Sequence, residues 1–452
     1  MVQSLMPDDL RKDSFGDSFH WGVAASAFQS EGSPDADGKG RSIWDAFTER
    51  KGRIRGGDHA RVACDFYHRY AQDIQLVRDM HIPNFRFSVS WPRIFPQGHS
   101  GMNRKGIDYY DRVIDQCLEC GIIPWLTLYH WDLPEALEKH GGWTNRDIVS
   151  WFTDYADACS RAFGDRVRHW MVMNEPMGFV GAGYFLGLHA PGRKGLKNFL
   201  PAAHHAVLAM AEGGRVLRAN IPGAVIGTTF SCSLVEPLTG TPWDYQASVR
   251  ADALLNRLFL EPVLGLGYPV EDLPVLRKLE RYMLDGDEDR LSFDFDFTGL
   301  QNYTREVVRH SWLMPYLRAR VVPAEKRGVP VTAMKWEVYP ESIYRMIRKF
   351  DRYPQIRRII VTENGAAFPD QVINMEVHDP ERIAYLQHYL QQVLRARREG
   401  CKVDGYFVWS LTDNFEWAEG YAPRFGLVHV DFGTQRRTIK SSGKWFRNFL
   451  KG

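Results

Sequence analysis

The chain has 452 residues, of which 44% are hydrophobic and 25% charged, and its formal net charge is +2. This is the composition of an ordinary soluble protein with a large core, and the lack of a basic excess argues against nucleic-acid binding. No apolar run reaches the roughly 20 residues that cross a bilayer, and MVQSLMPDDLRKDSF at the N-terminus lacks the apolar core of a signal peptide, so we expect a cytoplasmic protein without membrane association.

Eight apolar, strand-like runs recur along the chain, and helical patterns separate them. The runs cover residues 20–26, 84–90, 122–130, 169–175, 224–231, 295–303, 357–363 and 403–411. The clearest helical patterns cover 65–80, 106–119 and 381–399, and the last has an apolar stripe at Ile383, Leu386, Leu390 and Val393. Strands this continuously apolar, each followed by a helix, are typical of parallel strands buried on both faces.

This alternation predicts an α/β fold, for which two architectures remain open. A doubly wound sheet is one, but neither G-x-G-x-x-G nor G-x-x-x-x-G-K-[ST] follows any of the strands. The other is a (β/α)8 TIM barrel with long βα loops, which eight units over this length fit better. No linker or low-complexity segment divides the chain, so residues 1–452 are predicted to form one barrel domain.

Polar side chains stand at the C-terminal ends of the predicted strands, where the barrel architecture places chemistry. They are Gln29, Arg86, His130, Asn174, Glu175, Tyr303 and Glu363, with Trp409 at the end of the last strand. Such groups are costly at the ends of core strands unless they serve a purpose. We therefore expect them to converge on one site.

Two of these residues, Glu175 and Glu363, are glutamates on opposed strands. A single glutamate in such a place is better explained as a helix cap or the partner of an arginine. A facing pair is what glycoside hydrolysis requires, since one carboxyl protonates the leaving oxygen and the other attacks the anomeric carbon or activates water. Aromatic residues make up 13% of the chain, with 14 Trp, and their flat faces suit sugar ligands.

Metal-dependent hydrolysis is the main competing chemistry. His59, His68, His130, His204 and His205 are candidate ligands, but no H-E-x-x-H or comparable spacing connects them. His130, beside Trp131 and Asp132 at the end of the third strand, is interpreted as a neutral imidazole that binds a sugar hydroxyl. Neither a metal nor a cofactor is expected.

Five motifs together resemble the family 1 glycoside hydrolases, the retaining β-glucosidase family. They are FHWGVAASAFQSEG (19–32), YHWDLP (129–134), MNEP (173–176), VTENG (361–365) and WSLTDNFEWAEGYAPRFGL (409–427). The resemblance implies a TIM barrel that hydrolyses terminal non-reducing β-D-glucosyl residues with retention, and it leaves β-galactosyl and β-fucosyl residues open as further substrates. Its substrates would be small β-glucosides and cello-oligosaccharides, as in cellulose and other polysaccharide degradation.

The resemblance also implies roles for individual residues. Glu363 would be the nucleophile and Glu175 the general acid/base, with a pKa raised first by the like charge of Glu363. Arg86 and Tyr303 would flank Glu363 and lower its pKa. The implied sugar-binding residues are Gln29, His130, Trp131, Asn174 (2-hydroxyl), Trp336 (platform under the leaving group), Trp409 (stacking floor), Glu416 and Trp417.

The sequence departs from the family pattern in one place and leaves some alternatives open. The family reads NYYT at strand six, where this chain has Gln301 and Asn302 before Tyr303, so the support of Glu363 is expected to differ.

A non-catalytic sugar-binding relative would have lost a glutamate. A transglycosylating β-glycosidase stays open, as does a homo-oligomer. A phospho-β-glucosidase would resemble this chain, but Glu416, Arg424 and Phe425 replace its phosphate-binding pattern.

Overall fold

The computed structural model describes residues 10–452. Residues 1–9, which hold most of the segment from which a cytoplasmic location was predicted, lie outside the described residues. Among residues 10–452, no helix combines the length and the apolar character that a bilayer-spanning helix needs.

Eight parallel strands close into a barrel, which confirms the predicted fold. They are β1 His20–Ala24, β2 Asn84–Ser88, β3 Ile123–Tyr129, β4 His169–Asn174, β5 Val225–Ser231, β6 Phe297–Gln301, β7 Ile359–Asn364 and β8 Val403–Trp409. Each strand pairs with its neighbours in sequence, and β1 pairs with both β2 and β8, which closes the sheet. All eight predicted runs are barrel strands.

A long helix follows each strand. These helices are α1 Phe66–Asp79, α2 Arg104–Glu119, α3 Ile148–Phe163, α4 Leu196–Asn220, α5 Pro242–Asp252, α6 Glu341–Asp351, α7 Pro380–Arg398 and α8 Ser441–Lys451. The three helices predicted from periodicity are α1, α2 and α7. The stripe of α7 lies against the barrel, since Leu386, Leu390 and Val393 are fully buried.

Short elements lie before β1 and in the connections between the strands and the long helices. Strands Leu234–Pro237, Arg305–His310 and Ala319–Val321 form one small sheet, Gln371–Ile373 pairs with Glu376–His378, and Val428–Asp431 pairs with Arg436–Ile439. Short helical turns are Lys12–Phe15, Ala27–Ser30, Ala36–Gly38, Ile43–Thr48, Arg55–Gly57, Trp91–Ile94, Glu135–Lys139, Gly142–Thr144, Met177–Leu186, Ala253–Arg257, Leu260–Val263, Pro274–Tyr282, Asp287–Arg290, Ala324–Arg327 and Trp417–Glu419.

The interior of the barrel is a packed apolar layer rather than a pore. Trp125, Met171, Phe297, Ile360 and Phe407 form a separate buried cluster, with one residue from each of five strands. Gly22 faces this layer, and a Cβ atom there would lie 2.2 Å from the ring of Phe407. The filled interior closes the floor, so a ligand can enter only from the loop side.

Candidate active site

A cavity of about 370 Å³ opens among the loops at the C-terminal ends of the strands. Ten of the twelve residues predicted from the sequence line it: Gln29, His130, Trp131, Glu175, Tyr303, Trp336, Glu363, Trp409, Glu416 and Trp417. The other two, Arg86 and Asn174, are fully buried directly behind the cavity wall. The parallel strands thus bring residues from the whole chain to one place.

Glu363, in β7, is held from both sides. The Arg86 guanidinium, from β2, donates to Glu363 Oε1, and the Tyr303 hydroxyl donates to Oε2 at 2.8 Å. Arg86 also donates to the Thr127 hydroxyl at 3.2 Å, which fixes the orientation of the guanidinium. The carboxylate is therefore positioned before any ligand arrives.

Asn174 is the centre of a buried hydrogen-bond network. Its Oδ1 accepts from Arg86, from Gln301 Nε2 at 2.8 Å and from the Thr229 hydroxyl at 3.0 Å. Its Nδ2 lies 3.1 Å from Nε2 of His130. Asn174 connects strands β2, β3, β5 and β6, while its contact with the sugar 2-hydroxyl stays a prediction.

The two glutamates differ in their electrostatic surroundings. Burial raises the pKa of Glu175 well above its usual value, and the charge of Glu363 raises it further. Burial also raises the pKa of Glu363, but Arg86 and Tyr303 oppose this rise. Glu363 therefore ionises first and Glu175 keeps the shared proton.

One expectation about these pKa values is borne out and one needs correction. Arg86 and Tyr303 lower the pKa of Glu363 as expected, although desolvation by burial is larger and the net shift is upward. For Glu175 the larger cause is burial, and the like charge of Glu363 comes second. The sequence predicts which charged groups lie close together, but it does not show how far burial removes each group from water and so raises its pKa.

Gln29 and Glu416 lie together at the other end of the cavity. The Gln29 amide donates to Glu416 Oε2 at 3.4 Å, and the Gln29 carbonyl accepts from the Ser26 hydroxyl at 2.7 Å. Burial raises the pKa of Glu416 to about 8, and the charge of Glu363 adds to the shift. Arg424 donates to Asp413 at 2.8 Å and does not line the cavity.

Aromatic rings form the walls of the same end. The rings of Trp131 and Trp417 are 4.6 Å apart, and the ring of His130 stacks 6.0 Å from that of Trp409. Burial lowers the pKa of His130 well below its usual value, so the ring is neutral. With Nε2 near Asn174, His130 Nδ1 is a buried polar atom without a partner among residues 10–452. A ligand hydroxyl would satisfy it.

Three site residues have left-handed backbone conformations, which non-glycine residues rarely adopt. These are Trp131 (φ 76°), Glu175 (φ 44°) and Trp417 (φ 49°). Gly365 is required for a different reason, because a Cβ atom there would lie 2.0 Å from the carbonyl oxygen of Trp409. Strain and close packing of this kind are typical of functional sites.

The two departures from the family pattern have separate structural roles. Gln301 reaches Asn174 and Thr229, and its hydrogen bonding helps to lower the pKa of Glu363. Asn302 points away from the cavity and is fully buried, where the Ser342 hydroxyl donates to it at 2.7 Å. Residues other than those of the family pattern thus surround Glu363, but hydrogen bonds still hold its carboxylate in place.

Several lining residues were not anticipated from the sequence. They are His189, Ser231, Cys232, Ser233, Gln301, Thr304, Glu306, Met334, Ala418, Glu419 and Phe425. Most lie in loops whose path depends on contacts far along the chain. Signals existed for Thr304, which directly follows Tyr303, for Gln301 in the predicted sixth strand, and for Ala418, Glu419 and Phe425, which lie in the motif at 409–427.

One group of potential metal ligands exists among residues 10–452, and it lies outside the cavity. The ligand atoms of Asp370, Asp413 and His429 are within 4.8 Å of one another. The Lys440 ammonium donates to Asp413 at 2.6 Å and lies 2.8 Å from Asp370. Lys440 therefore already supplies the positive charge that this group requires.

Comparison with known proteins agrees with this geometry. The profile of the glycosyl hydrolase family 1 matches residues 11–452. The chain belongs to this family. The resemblance carried by the five motifs is confirmed over nearly the full length of this family 1 chain.

Relatives and solved structures of the family cover the chain almost completely. The 1,4-beta-D-glucan glucohydrolase of Thermotoga neapolitana is 42% identical, over 97% of this chain and 98% of that relative. Beta-glucosidase A of Acetivibrio thermocellus is 40% identical, over 98% of this chain and 99% of its own. The structure of the Thermotoga maritima β-glucosidase in complex with deoxynojirimycin has a TM-score of 0.93 and 41% identity, covering 96% of this chain and 98% of that one.

Proposed function

We propose that this family 1 protein is a retaining β-glucosidase that releases terminal β-D-glucosyl residues from small β-glucosides and cello-oligosaccharides. The observation that carries the proposal is the pair Glu175 and Glu363 in one cavity, with surroundings that leave the proton on Glu175. A nucleophile and an acid are thus present at the same pH. The names of the relatives, β-glucosidase and glucan glucohydrolase, support the substrate class.

In the first step, Glu363 attacks the anomeric carbon and forms a covalent glycosyl-enzyme. Arg86 and Tyr303 hold the attacking carboxylate in place. Glu175 donates its proton to the glycosidic oxygen as the bond to the leaving group breaks. The leaving group departs as a neutral alcohol or phenol.

In the second step, Glu175 removes a proton from a water molecule that attacks the same carbon. Esterification of Glu363 removes its negative charge, so the pKa of Glu175 falls. Because burial is the larger cause of the raised pKa, this fall is partial. The second displacement restores the β configuration and returns the proton to Glu175.

The glucosyl unit is assigned to the end of the cavity formed by Gln29, His130, Trp131, Glu416 and Trp417, with Trp409 beneath it. The free Nδ1 of His130 and the amide–carboxyl pair of Gln29 and Glu416 supply donors and acceptors for hydroxyl groups. The indole rings supply flat apolar faces for the C–H groups of the sugar. We assign the leaving group to the Trp336 side.

Three wider points remain predictions from the sequence. They are the cytoplasmic location, a homo-oligomeric assembly and the treatment of residues 1–452 as one catalytic domain. None of them alters the chemistry of the site.

A panel of 4-nitrophenyl β-glycosides tests the proposed function. The β-glucoside should be cleaved well, and nuclear magnetic resonance should detect β-glucose as the first product. The 6-phosphate of the same glucoside should be a poor substrate, since no Lys or Arg is among the described residues that line the cavity and a buried dianion would lack a counter-charge. First release of α-glucose, or equal use of the 6-phosphate, would contradict the proposal.

A further inference from the structure

Five carboxyl groups line the active-site cavity, and four of them are accounted for. Glu363 is paired with Arg86, and Glu175 keeps the catalytic proton. Glu416 accepts a hydrogen bond from the Gln29 amide, and burial raises the pKa of Glu416 to about 8. Glu419 lies 3.3 Å from the guanidinium of Arg55 at the open rim.

Glu306 is the carboxyl that remains. Among residues 10–452 it has no hydrogen-bond or ion-pair partner. The charge of Arg327 acts on Glu306, but the Arg327 guanidinium donates to Glu337 at 2.6 Å and not to Glu306. The cavity therefore contains one acidic side chain that forms no ion pair within residues 10–452.

The strand Arg305–His310 determines where this side chain points. Arg305 lies against Glu337 and Glu236, at 2.8 and 2.7 Å, on one face of the strand. Successive side chains of a strand point to opposite faces, which turns Glu306 toward the cavity that it lines. Arg305 is thus part of an ion-pair network, whereas Glu306 lines the cavity while still lying in the electric field of Arg327 and Glu337 from that network.

Glu306 belongs to the half of the cavity assigned to the leaving group. It follows β6. Other residues of this half end β5 (Ser231), follow it (Ser233) or precede α6 (Met334 and Trp336). In the barrel order, β5 and β6 lie across from β1 and β2. The side chains assigned to the glucosyl unit come from β1, β3 and the loop after β8, on the other side of the mouth.

We propose that Glu306 selects leaving groups that carry a positive charge, so that the protein prefers β-glucosides of ammonium-bearing aglycones over matched neutral ones. The inference rests on the proposed glucosidase function. An ammonium group at this position gains the carboxylate as its counter-ion. Indole faces such as that of Trp336 in the same half also attract cations.

The ionisation of Glu306 agrees with this role. Burial raises the pKa of Glu306 to about 7, with Glu337 adding to the rise and Arg327 opposing it. A bound ammonium group would stabilise the charged form. The carboxyl is thus poised to ionise when a cationic leaving group binds.

Two glucosides with closely similar leaving groups test the proposal at one pH near neutrality. They are 4-(aminomethyl)phenyl β-D-glucoside, which carries an ammonium group, and 4-(hydroxymethyl)phenyl β-D-glucoside, which is neutral. The expected ratio of kcat/KM, cationic over neutral, is about two- to fivefold, the range of a partly exposed charge pair. The ratio should fall to about one in Glu306→Gln, and below one in Glu306→Lys.

Glu419→Gln is the matched control, because Glu419 lies on the same cavity but is already paired with Arg55. It should keep the ratio of the unmodified protein. The breakdown of the glycosyl-enzyme should not respond to the charge of the leaving group, since that group has already departed. A ratio of one in the unmodified protein, or an unchanged ratio in Glu306→Gln, would overturn the inference. Failure to cleave either glucoside would instead contradict the proposed function itself, and the inference with it.

Discussion

Glu175 and Glu363 are the same residue type, and their neighbours alone give them different tasks. Glu363 has a guanidinium and a phenol within hydrogen-bonding distance. Glu175 has neither among residues 10–452. Its backbone has φ 44°, and burial disfavours the charged form of its carboxyl group. At the scale of single residues, the assignment of acid and nucleophile therefore follows from partners rather than from position in the sequence.

The role of Glu175 predicts a dependence on the leaving group. Glu175→Gln should lower kcat/KM by about 10²–10⁴-fold for phenyl or alkyl glucosides, whose leaving groups need a proton. It should affect the formation of the glycosyl-enzyme from 2,4-dinitrophenyl glucoside far less, because that phenolate departs unaided. Pre-steady-state kinetics with the two classes measure the difference. An equal loss for both would assign Glu175 to sugar binding or to structure.

The pH profile provides a second check at this scale. Activity requires Glu363 ionised, so kcat/KM should fall as the pH decreases through the Glu363 pKa. It requires Glu175 protonated, so kcat/KM should also fall as the pH rises through the Glu175 pKa. Both pKa values are raised, so the optimum should lie above the ordinary titration range of glutamate.

The alkaline side of this profile distinguishes the two acids in the cavity. In Glu175→Gln, assayed with 2,4-dinitrophenyl glucoside, the alkaline decrease should disappear. If it persists, another group sets it, and Glu416, with a pKa of about 8, becomes the candidate.

At the scale of elements, the ends of neighbouring strands are tied together by side chains behind the site. Asn302 is the clearest example, since its Nδ2 donates to the carbonyls of Cys232 and Thr304, at 2.9 and 3.0 Å. Its Oδ1 accepts from Ser342 at the start of α6. These bonds connect β6 to the loop after β5 and to the following helix, and they hold Tyr303 in place.

Removal of this amide should therefore destabilise the fold. Asn302→Ala leaves buried carbonyls and a hydroxyl without partners, and we expect Tm to decrease by about 2–6 °C. Asn448→Ala is the matched control at an exposed position of α8, where alanine favours the helix, and it should not lower Tm. Differential scanning calorimetry measures both. Equal Tm values for Asn302→Ala and the unmodified protein would show that the network contributes nothing to stability.

The strands were predictable because each is a continuous apolar run, and most of these runs end in a polar residue. A closed parallel barrel buries the runs and brings their C-terminal ends together at one face. The loops were not predictable, because their paths depend on pairs such as Arg305 with Glu337 and Arg55 with Glu419. The cavity position of Glu306 depends on such pairs. The motifs also indicated that Asn174 belongs to the site. They did not indicate that Asn174 lies behind the cavity wall and accepts several hydrogen bonds there.

At the scale of the whole molecule, the closed barrel brings residues that are far apart in the sequence close together at one site. Gln29 and Glu416 are 387 positions apart and share a hydrogen bond, as do Arg86 and Glu363 across 277 positions. The packed layer around Trp125 and Phe407 closes the opposite end of the barrel. Catalysis is therefore confined to the one face where eight strand ends and their loops converge.

Azide rescue of two variants tests the central claim, that Glu363 attacks and Glu175 transfers protons, most directly. In Glu363→Gly, azide should restore cleavage of 2,4-dinitrophenyl β-glucoside and give α-glucosyl azide, because a single displacement inverts the anomeric carbon. In Glu175→Ala, azide should attack the glycosyl-enzyme and give β-glucosyl azide. Nuclear magnetic resonance of the two products distinguishes the anomers. The account predicts α from the first variant and β from the second, and β-azide from Glu363→Gly would contradict it.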